Sequence, residues 1–588
     1  MNITLPSTRD PEDPSLGLGP VSLDLLKLRY LNRDEHGTVC ESPLDMMKRV
    51  ASNIASVDRR YDGDVVFAYE EFLHHLTNLH FVPASPILMN AGNKLQFLFS
   101  DHALDVPDSI EDIFEVLKLS ASIQQRGGGL GFSFSKIRPF HDDVSGMKKV
   151  AFGPLNVMKI FDTSFHAILQ GGRRNGANMA VLSISHPDIL SFIEAKQDGG
   201  VLQNFNLSVA LTDVFIDAVN ADKPFDLVNP RTGAVVQTVS ARSLFDAITE
   251  QAWKTGDPGL IFLDKMNCSY PFKEKKVLCT GACGQYELES FEGVPYAHIN
   301  VSRMLAKAGG SFRLDTDLLK RTVKSAVHFL DNCIDAHEYI DSFFELQSKR
   351  TRKIGVGIMG FAELLFILGI PYGSHESLEI IDSIMSIVRD SSRQASHELA
   401  VSRGPFPLFD SSTWDRPMRN ATITSIAPTG STSLVAGTSQ SIEPVFALSF
   451  TTMTSDGEEF TVLNNAFKDA IDALAIDQTA KIQLQFVDSV QNIEWLDTSF
   501  KNVFRTAMDI PPEDHLAVMS RFQEYIDNSI SKTINLPNKA SVDDVKQIML
   551  KAHELGCKGI TIYRDGCRGD QAVMTKRQTR LSAFNRFA

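Results

Sequence analysis

The sequence predicts an α/β fold in which one large barrel carries most of the chain, and three observations lead to it. Beyond Pro83, short β-branched or apolar runs alternate with amphipathic helical stretches, the pattern of strands threaded with helices. Ahead of that point, Ser22 to Leu79 reads as short amphipathic helices. Between about residues 82 and 570 no fixed repeat, low-complexity tract or long Pro/Gly/Ser linker divides the chain. The expected organisation is an N-terminal helical region at 1–81, a barrel at 82–570 and a loose basic tail at 571–588.

The elements follow in order. SLDLLKLRYL, PLDMMKRVASNIA with a proline at its first turn, and DVVFAYEEFLHHLTNLH are the N-terminal helices. Then NFNLSVAL precedes LFDAITEQAWK, YAHINV precedes LLKRTVKSAVHFLDNCIDA, and KIGVGIM precedes FAELLFILG, each a strand followed by a helix. Near the end, Ser541 and Asp544 form a capping box ahead of VKQIMLKAHEL, Gly556 stops that helix, and GITIY follows as a strand.

Composition removes several function classes. At 588 residues, 43% hydrophobic and 22% charged, the chain is globular. Its first twenty residues lack the apolar core of a signal peptide, and no run of eighteen apolar residues occurs, so a cytoplasmic location with no membrane partner is expected. Seven scattered cysteines without a Cys-x-x-Cys pair give neither a disulfide framework nor a zinc pair, and no metal site is expected. A formal charge of -14 argues against a nucleic-acid surface. Anionic substrates would need local sites.

Four stretches carry candidate chemistry. QQRGGGLGFSFSKIRP sets Gly127, Gly128, Gly129 and Gly131 ahead of a strand-like run, suited either to a tight turn or to close backbone approach. It is neither a phosphate loop nor a dinucleotide fingerprint. In GGRRNGANMAVL, Arg173 and Arg174 between glycines present two guanidinium forks to phosphate or carboxylate, or else form a solvated turn. APTGSTSLVAG combines Pro428, Thr429, Gly430, Ser431 and Thr432 ahead of a helical run, either an anion site without lysine or a capped helix start. The small-residue turn Gly281-Ala282-Cys283-Gly284 leaves one thiol little shielded, which suits a reactive cysteine, although composition alone favours a buried inert one.

Taken together and in order, PASPILMNAG, DSIEDIFEVL, RGGGLGFSFSKIRP, GGRRNGANMAVL, HPDILSFIEAK, KTGDPGLIFLDKMN, RKIGVGIMGFAELLFILGIPY, APTGSTS, SKTINLPN and GCKGITIYRDG resemble class II, adenosylcobalamin-dependent ribonucleotide reductases over nearly the whole chain. The resemblance implies a ten-stranded α/β barrel whose central finger loop, near 279–287, holds Cys283 beside adenosylcobalamin. The cofactor would generate a thiyl at Cys283, which takes the 3′-hydrogen of a ribonucleotide. It further implies that Ser85, Ser100 and Gly129 line the substrate and that Pro428 to Thr432 hold its phosphates. Asp108, Ser109, Ile110 and Arg138 match the family's allosteric nucleotide site, with the Arg173-Arg174 loop linking effector to substrate. A homodimer is the family habit. The chain starts too close to the barrel for the extra ATP-binding helical module of some relatives, so overall activity regulation is not expected.

The finger loop departs from the family. Where the family reads Asn-Pro-Cys-Gly-Glu, this chain reads Gly281-Ala282-Cys283-Gly284-Gln285, and a neutral amide such as Gln285 has no comparable basicity. Glu287 would replace the glutamate only if the loop shifted by two residues. The family's two reducing cysteines align with Asp101 and Val294, and no cysteine follows Cys567 to supply a swinging thiol pair. Cys279 is the remaining thiol close to Cys283. A carboxyl group at Asp101 can donate or accept a proton where a thiol normally stands. Three readings follow: a cobalamin-dependent radical enzyme that begins with 3′-hydrogen abstraction and ends without net 2′-reduction; a true reductase with an unconventional reductant; and a non-catalytic nucleotide-binding regulatory paralogue.

Overall fold

The computed structural model describes residues 13–170, 174–197, 199–453 and 459–567, so the expected tail at 571–588 and Arg173 lie outside the described residues. Helices Pro20–Arg29, Pro43–Ala55 and Val65–Thr77 come first. Their starts are locally encoded. Ser42 and Asp45 close a capping box around the second, and Asp64 accepts from two backbone N–H groups of the third.

Five strands then run parallel in chain order, β1 (Asp101–Asp105), β2 (Gly129–Ser133), β3 (Asn178–Ser183), β4 (Phe205–Leu211) and β5 (Gly259–Phe262). Nearly every residue of β1 to β3 is buried, as expected of strands covered on both faces. A second set follows: β6 (Tyr296–Asn300) lies parallel to β7 (Gly355–Met359), and β8 (Thr533–Leu536) parallel to β9 (Gly559–Arg564). Between these pairs the segment 424–426 bridges in parallel to Val356 on one side and Ile530 on the other. Among the described residues, that segment brings the second half to five strands, ten with β1 to β5, and Phe81–Pro83 adds an antiparallel edge to β6.

The halves meet antiparallel at both seams. At one, β5 pairs with β9. At the other, Glu292–Val294 pairs with β1 and continues past Pro295 into β6. Helices cover the outside; helix Gly153–His166, for example, sets Phe161 edge-on to Phe132 of β2 at 5.4 Å between ring centres.

A short hairpin, Cys279–Thr280 paired with Glu287–Leu288, enters this ring. Glycines on the strands of both halves make room for it. A Cβ on Gly131 would lie 1.6 Å from the Thr280 carbonyl oxygen, and one on Gly355 would lie 2.0 Å from the Tyr286 hydroxyl. Of the glycine-rich run, then, Gly127 makes the turn with φ +104°, while Gly131 serves close approach, to the chain's own finger and not to a ligand. No helix among the described residues is long and apolar enough to cross a membrane.

Candidate active site

Cys283 stands half-buried at the tip of the finger hairpin, between Ala282 and Gly284. The tip is tied on three sides. Gly281 N–H donates to the Tyr286 carbonyl within the turn (3.1 Å), and Ser529 N–H donates to the Gln285 carbonyl from the far half of the barrel (3.2 Å). Ala282 N–H donates to Asp101 Oδ1 at 3.0 Å from the near half. Asp101 is therefore a buried anchor of the fingertip, and a Cβ on Gly281 would crowd its carboxylate at 2.8 Å. Gly129 is used similarly, since its Cβ would lie 2.9 Å from the Ala282 methyl group.

Asp101 and Val294 are register partners across the antiparallel seam, directly opposite each other. These are the two positions that the resemblance assigns to the family's reducing cysteines. A carboxylate facing an isopropyl group can neither form nor break a disulfide.

The other rescues proposed from sequence are closed by packing. Glu287 is fully buried and ion-paired to Lys558 at 2.7 Å, so it is committed to the hairpin's base. Burial raises its carboxyl above the usual range, while Lys558 and Lys353 pull the other way. Cys279 is buried in an apolar cluster with Ala103, Val181 and Leu288, and burial pushes its thiol far up, toward inertness. Lys353 Nζ completes the base of the hairpin by donating to the Glu287 carbonyl, the Tyr270 hydroxyl and Glu292 Oε2.

Around the tip, the side-chain oxygens of Ser100, Gln285 and Ser529 are buried with no hydrogen-bond partner. Such groups are costly unless a ligand or water meets them. Beside Cys283, a Cβ on Gly284 would meet nothing within 4 Å, so the turn has local space at that glycine. Orphaned polar atoms of this kind suit a polar ligand such as a sugar at the tip.

A second polar end lies where the N-terminal helix Pro20–Arg29 packs on helix Gly430–Ala436. Thr429 precedes the latter in a left-handed conformation (φ +56°) and gives it no side-chain cap; its hydroxyl instead accepts from Ser441 N–H at 2.8 Å. Thr429 therefore does not cap this helix with its side chain. Arg29 donates to Ser431 Oγ (3.2 Å), and the Tyr30 hydroxyl sits 2.8 Å from Ser85 Oγ. Sequence reasoning missed Arg29 and Tyr30, which in one dimension are the polar edge of an amphipathic helix. Only packing brings them to Pro428–Thr432 and Ser85.

The residues that the resemblance assigns to an effector site also converge. Arg138 Nε pairs with Asp108 Oδ2 at 2.8 Å, and Arg138 N–H donates to Asp108 Oδ1 at 3.0 Å. Ser109 caps helix Ile110–Gln125, whose Ile110 and Phe114 are 52% and 50% exposed. That helix packs on Gly153–His166, where Ile160 is also exposed. Arg174 begins a two-residue strand with Asn175, whereas Arg173 lies outside the described residues.

Comparison with known proteins matches this architecture. The family described as ribonucleotide reductase, barrel domain, covers residues 100–418 and 415–563, and its all-alpha domain covers 16–96. A vitamin B12-dependent ribonucleoside-diphosphate reductase of Thermoplasma acidophilum is 40% identical over 96% of this chain and 80% of its own. A protein of that same description from Mycobacterium tuberculosis is 40% identical over 95% of this chain and 81% of its own. Among solved structures, the Actinobacillus ureae class Id ribonucleotide reductase alpha subunit superposes with a TM-score of 0.77 over 95% of this chain and 99% of its own, at 22% identity, which bears on the fold.

Proposed function

Because the chain belongs to the ribonucleotide reductase family, we propose that it is a cobalamin-dependent radical enzyme which opens a ribonucleotide's chemistry at Cys283 and closes it without net 2′-reduction. The observation that carries this reading is the Asp101–Val294 pair, which leaves the site no dithiol to deliver electrons. Adenosylcobalamin, if bound beside the fingertip, would supply the radical chemistry, with local space at Gly284 and the buried, unpartnered oxygens of Ser100, Gln285 and Ser529 on the protein side.

The chain's own residues do the rest. Cys283, as thiyl, takes the hydrogen atom from C3′ and becomes the thiol; returning that atom to the product radical restores the thiyl, so no external electrons are consumed. Gln285 holds the sugar by hydrogen bonds, since its amide cannot accept the 3′-hydroxyl proton as a glutamate would. Asp101 keeps the fingertip in place and provides a carboxyl group near the 2′-side. Ser85 and Ser100 face the sugar, and Pro428 to Thr432 meet the phosphates with backbone donors and hydroxyls, with the Arg29 guanidinium beside them. Dehydration, epimerisation or rearrangement of the sugar are the compatible outcomes. Asp108, Ser109, Ile110 and Arg138 form an effector nucleotide site, and the exposed faces of the two adjoining helices pair two copies of the chain.

The test is incubation with adenosylcobalamin and a ribonucleotide panel tritiated at C3′. Tritium release and 5′-deoxyadenosine formation are expected, both abolished in Cys283→Ala and neither accompanied by deoxyribonucleotide. Absence of exchange, or exchange that persists in the variant, overturns the proposal. A second reading, net reduction with an external electron source, is favoured by the 40% identity to proteins described as reductases. Deoxyribonucleotide formed with dithiol or formate would establish it.

A further inference from the structure

Where the N-terminal helices meet the barrel wall, three histidines crowd together. His74 and His75 end helix Val65–Thr77, and His80 directly precedes the strand Phe81–Pro83. The connecting turn is held in an uncommon backbone state: Leu79 has φ +53°, a left-handed conformation that a branched residue adopts at a cost. The effect of that turn is specific. Leu79 N–H donates to the Leu76 carbonyl (3.1 Å) and His80 N–H to the His75 carbonyl (2.9 Å), which folds the His80 ring back over the helix end.

The three imidazoles form a nearly equilateral triangle. Ring centres are 5.2 Å apart for His74 and His75, 5.4 Å for His74 and His80, and 5.3 Å for His75 and His80, with the planes steeply inclined to one another. One nitrogen from each ring lies within 4.8 Å of the other two, and the Nδ1 atoms of His75 and His80 face each other at 3.1 Å. Three imidazoles on a tetrahedral zinc at about 2.0–2.1 Å would have ligand nitrogens roughly 3.4 Å apart and ring centres roughly 5 Å apart. The triangle already has that size.

We propose that His74, His75 and His80 bind one divalent transition-metal ion of the zinc type, which clamps the turn joining the helical region to the barrel. The surroundings supply the supporting contacts such a site needs. His75 is fully buried, and its outer nitrogen, Nε2, has no hydrogen-bond partner. Glu71, one helical turn earlier, places Oε2 3.6 Å from that nitrogen. A metal on Nδ1 fixes the proton on Nε2, and the Glu71 carboxylate is then the acceptor that metal-bound histidines ordinarily have. The Thr322 hydroxyl, 3.4 Å from His75 Nδ1, walls the buried side, while His74 is exposed and leaves a path for entry and for water as the fourth ligand.

Cations oppose the ion. Arg321 reaches within 3.3 Å of His74 Nε2, so its exposed guanidinium must swing aside on binding, and Arg303 is a further nearby positive charge facing His80, opposed by Asp315. This gives the proposal a variant that acts in the opposite direction from loss of a ligand.

The test uses the full-length chain without a polyhistidine tag or added cobalamin, titrated with Co2+ and followed by visible absorption. The expected result is about one equivalent bound with the intense bands of tetrahedral cobalt, displaced by Zn2+, and a melting temperature raised by Zn2+. His74→Gln with His80→Gln should weaken binding about 100-fold or more, and Arg321→Ala should strengthen it about tenfold. Absence of the tetrahedral spectrum in the unaltered chain overturns the site, and so does an unchanged spectrum in the double variant. Unchanged affinity in Arg321→Ala, which needs no buried residue altered, also counts against it.

Discussion

At the scale of single residues, the proposed chemistry rests on a few side chains whose importance depends on where the fold sets them. Cys283 stands at a tip of small residues, and its neighbours are positioned by backbone contacts from both halves of the barrel. Arg29 shows how much a residue can gain from placement. In sequence it is one more cation in SLDLLKLRYL, yet it contacts Ser431 inside the proposed phosphate cradle. Arg29→Ala should raise KM for the nucleotide about tenfold with kcat little changed, because a charge that holds the phosphate equally in ground and transition states is lost. Steady-state tritium exchange measured against substrate concentration checks this. Cys283, Gln285 and Asp101 were readable in the sequence because a motif surrounds them. Arg29 and Tyr30 were not, since they belong to no motif and meet partners 402 and 55 residues away in the chain.

At the scale of elements, local signals and the observed structure agree where the physics is local. The helix Val542–Glu554 begins at the capping box of Ser541 and Asp544 and is followed by Gly556 at φ +76°, all within a span that the sequence encodes directly. Helix Pro43–Ala55 likewise starts at its proline. The finger hairpin is a different case. Its strands are two residues each, too short to show periodicity, and it exists because glycines in distant strands vacate the space it fills. Gly131→Ala should therefore cost about 3 kcal/mol or more, since the added methyl would meet the Thr280 backbone and no side chain there can rotate away. A fall in the urea midpoint, with loss of exchange at Cys283 even where the protein stays folded, is the expected outcome. An unchanged midpoint would show that the hairpin is not seated against β2.

At the scale of the whole molecule, the helical region and the barrel are joined by a buried charge network that no stretch of sequence announces. Asp331, in helix Thr316–Ala336, is fully buried and receives Arg352 at 2.8 Å and Arg403 and Arg419 at 3.2 Å. Arg403 continues to Asp58 of the N-terminal region, and Arg403 and Arg419 both stack on Tyr61. Burial alone would raise the Asp331 carboxyl, but the three arginines outweigh it and hold it at about 2. A carboxyl depressed from about 3.9 in the unfolded chain adds stability that is fully present above that pH. That contribution is lost as pH falls toward the folded value. Acid unfolding should accordingly steepen below about pH 4, and Asp331→Asn should cost about 3–5 kcal/mol at neutral pH and flatten that acid limb, because three guanidinium groups lose their shared counter-charge. Thermal melts from pH 7 to pH 3 check both. The sequence by itself determined the α/β class, the helix starts and the family, because alternation, capping and ordered motifs are written in neighbouring residues. Only the tertiary structure decided how the ring closes through Pro295, which glycines admit the finger, and what stands opposite Asp101. Those depend on contacts between residues far apart in the chain, whose pairing nothing local encodes.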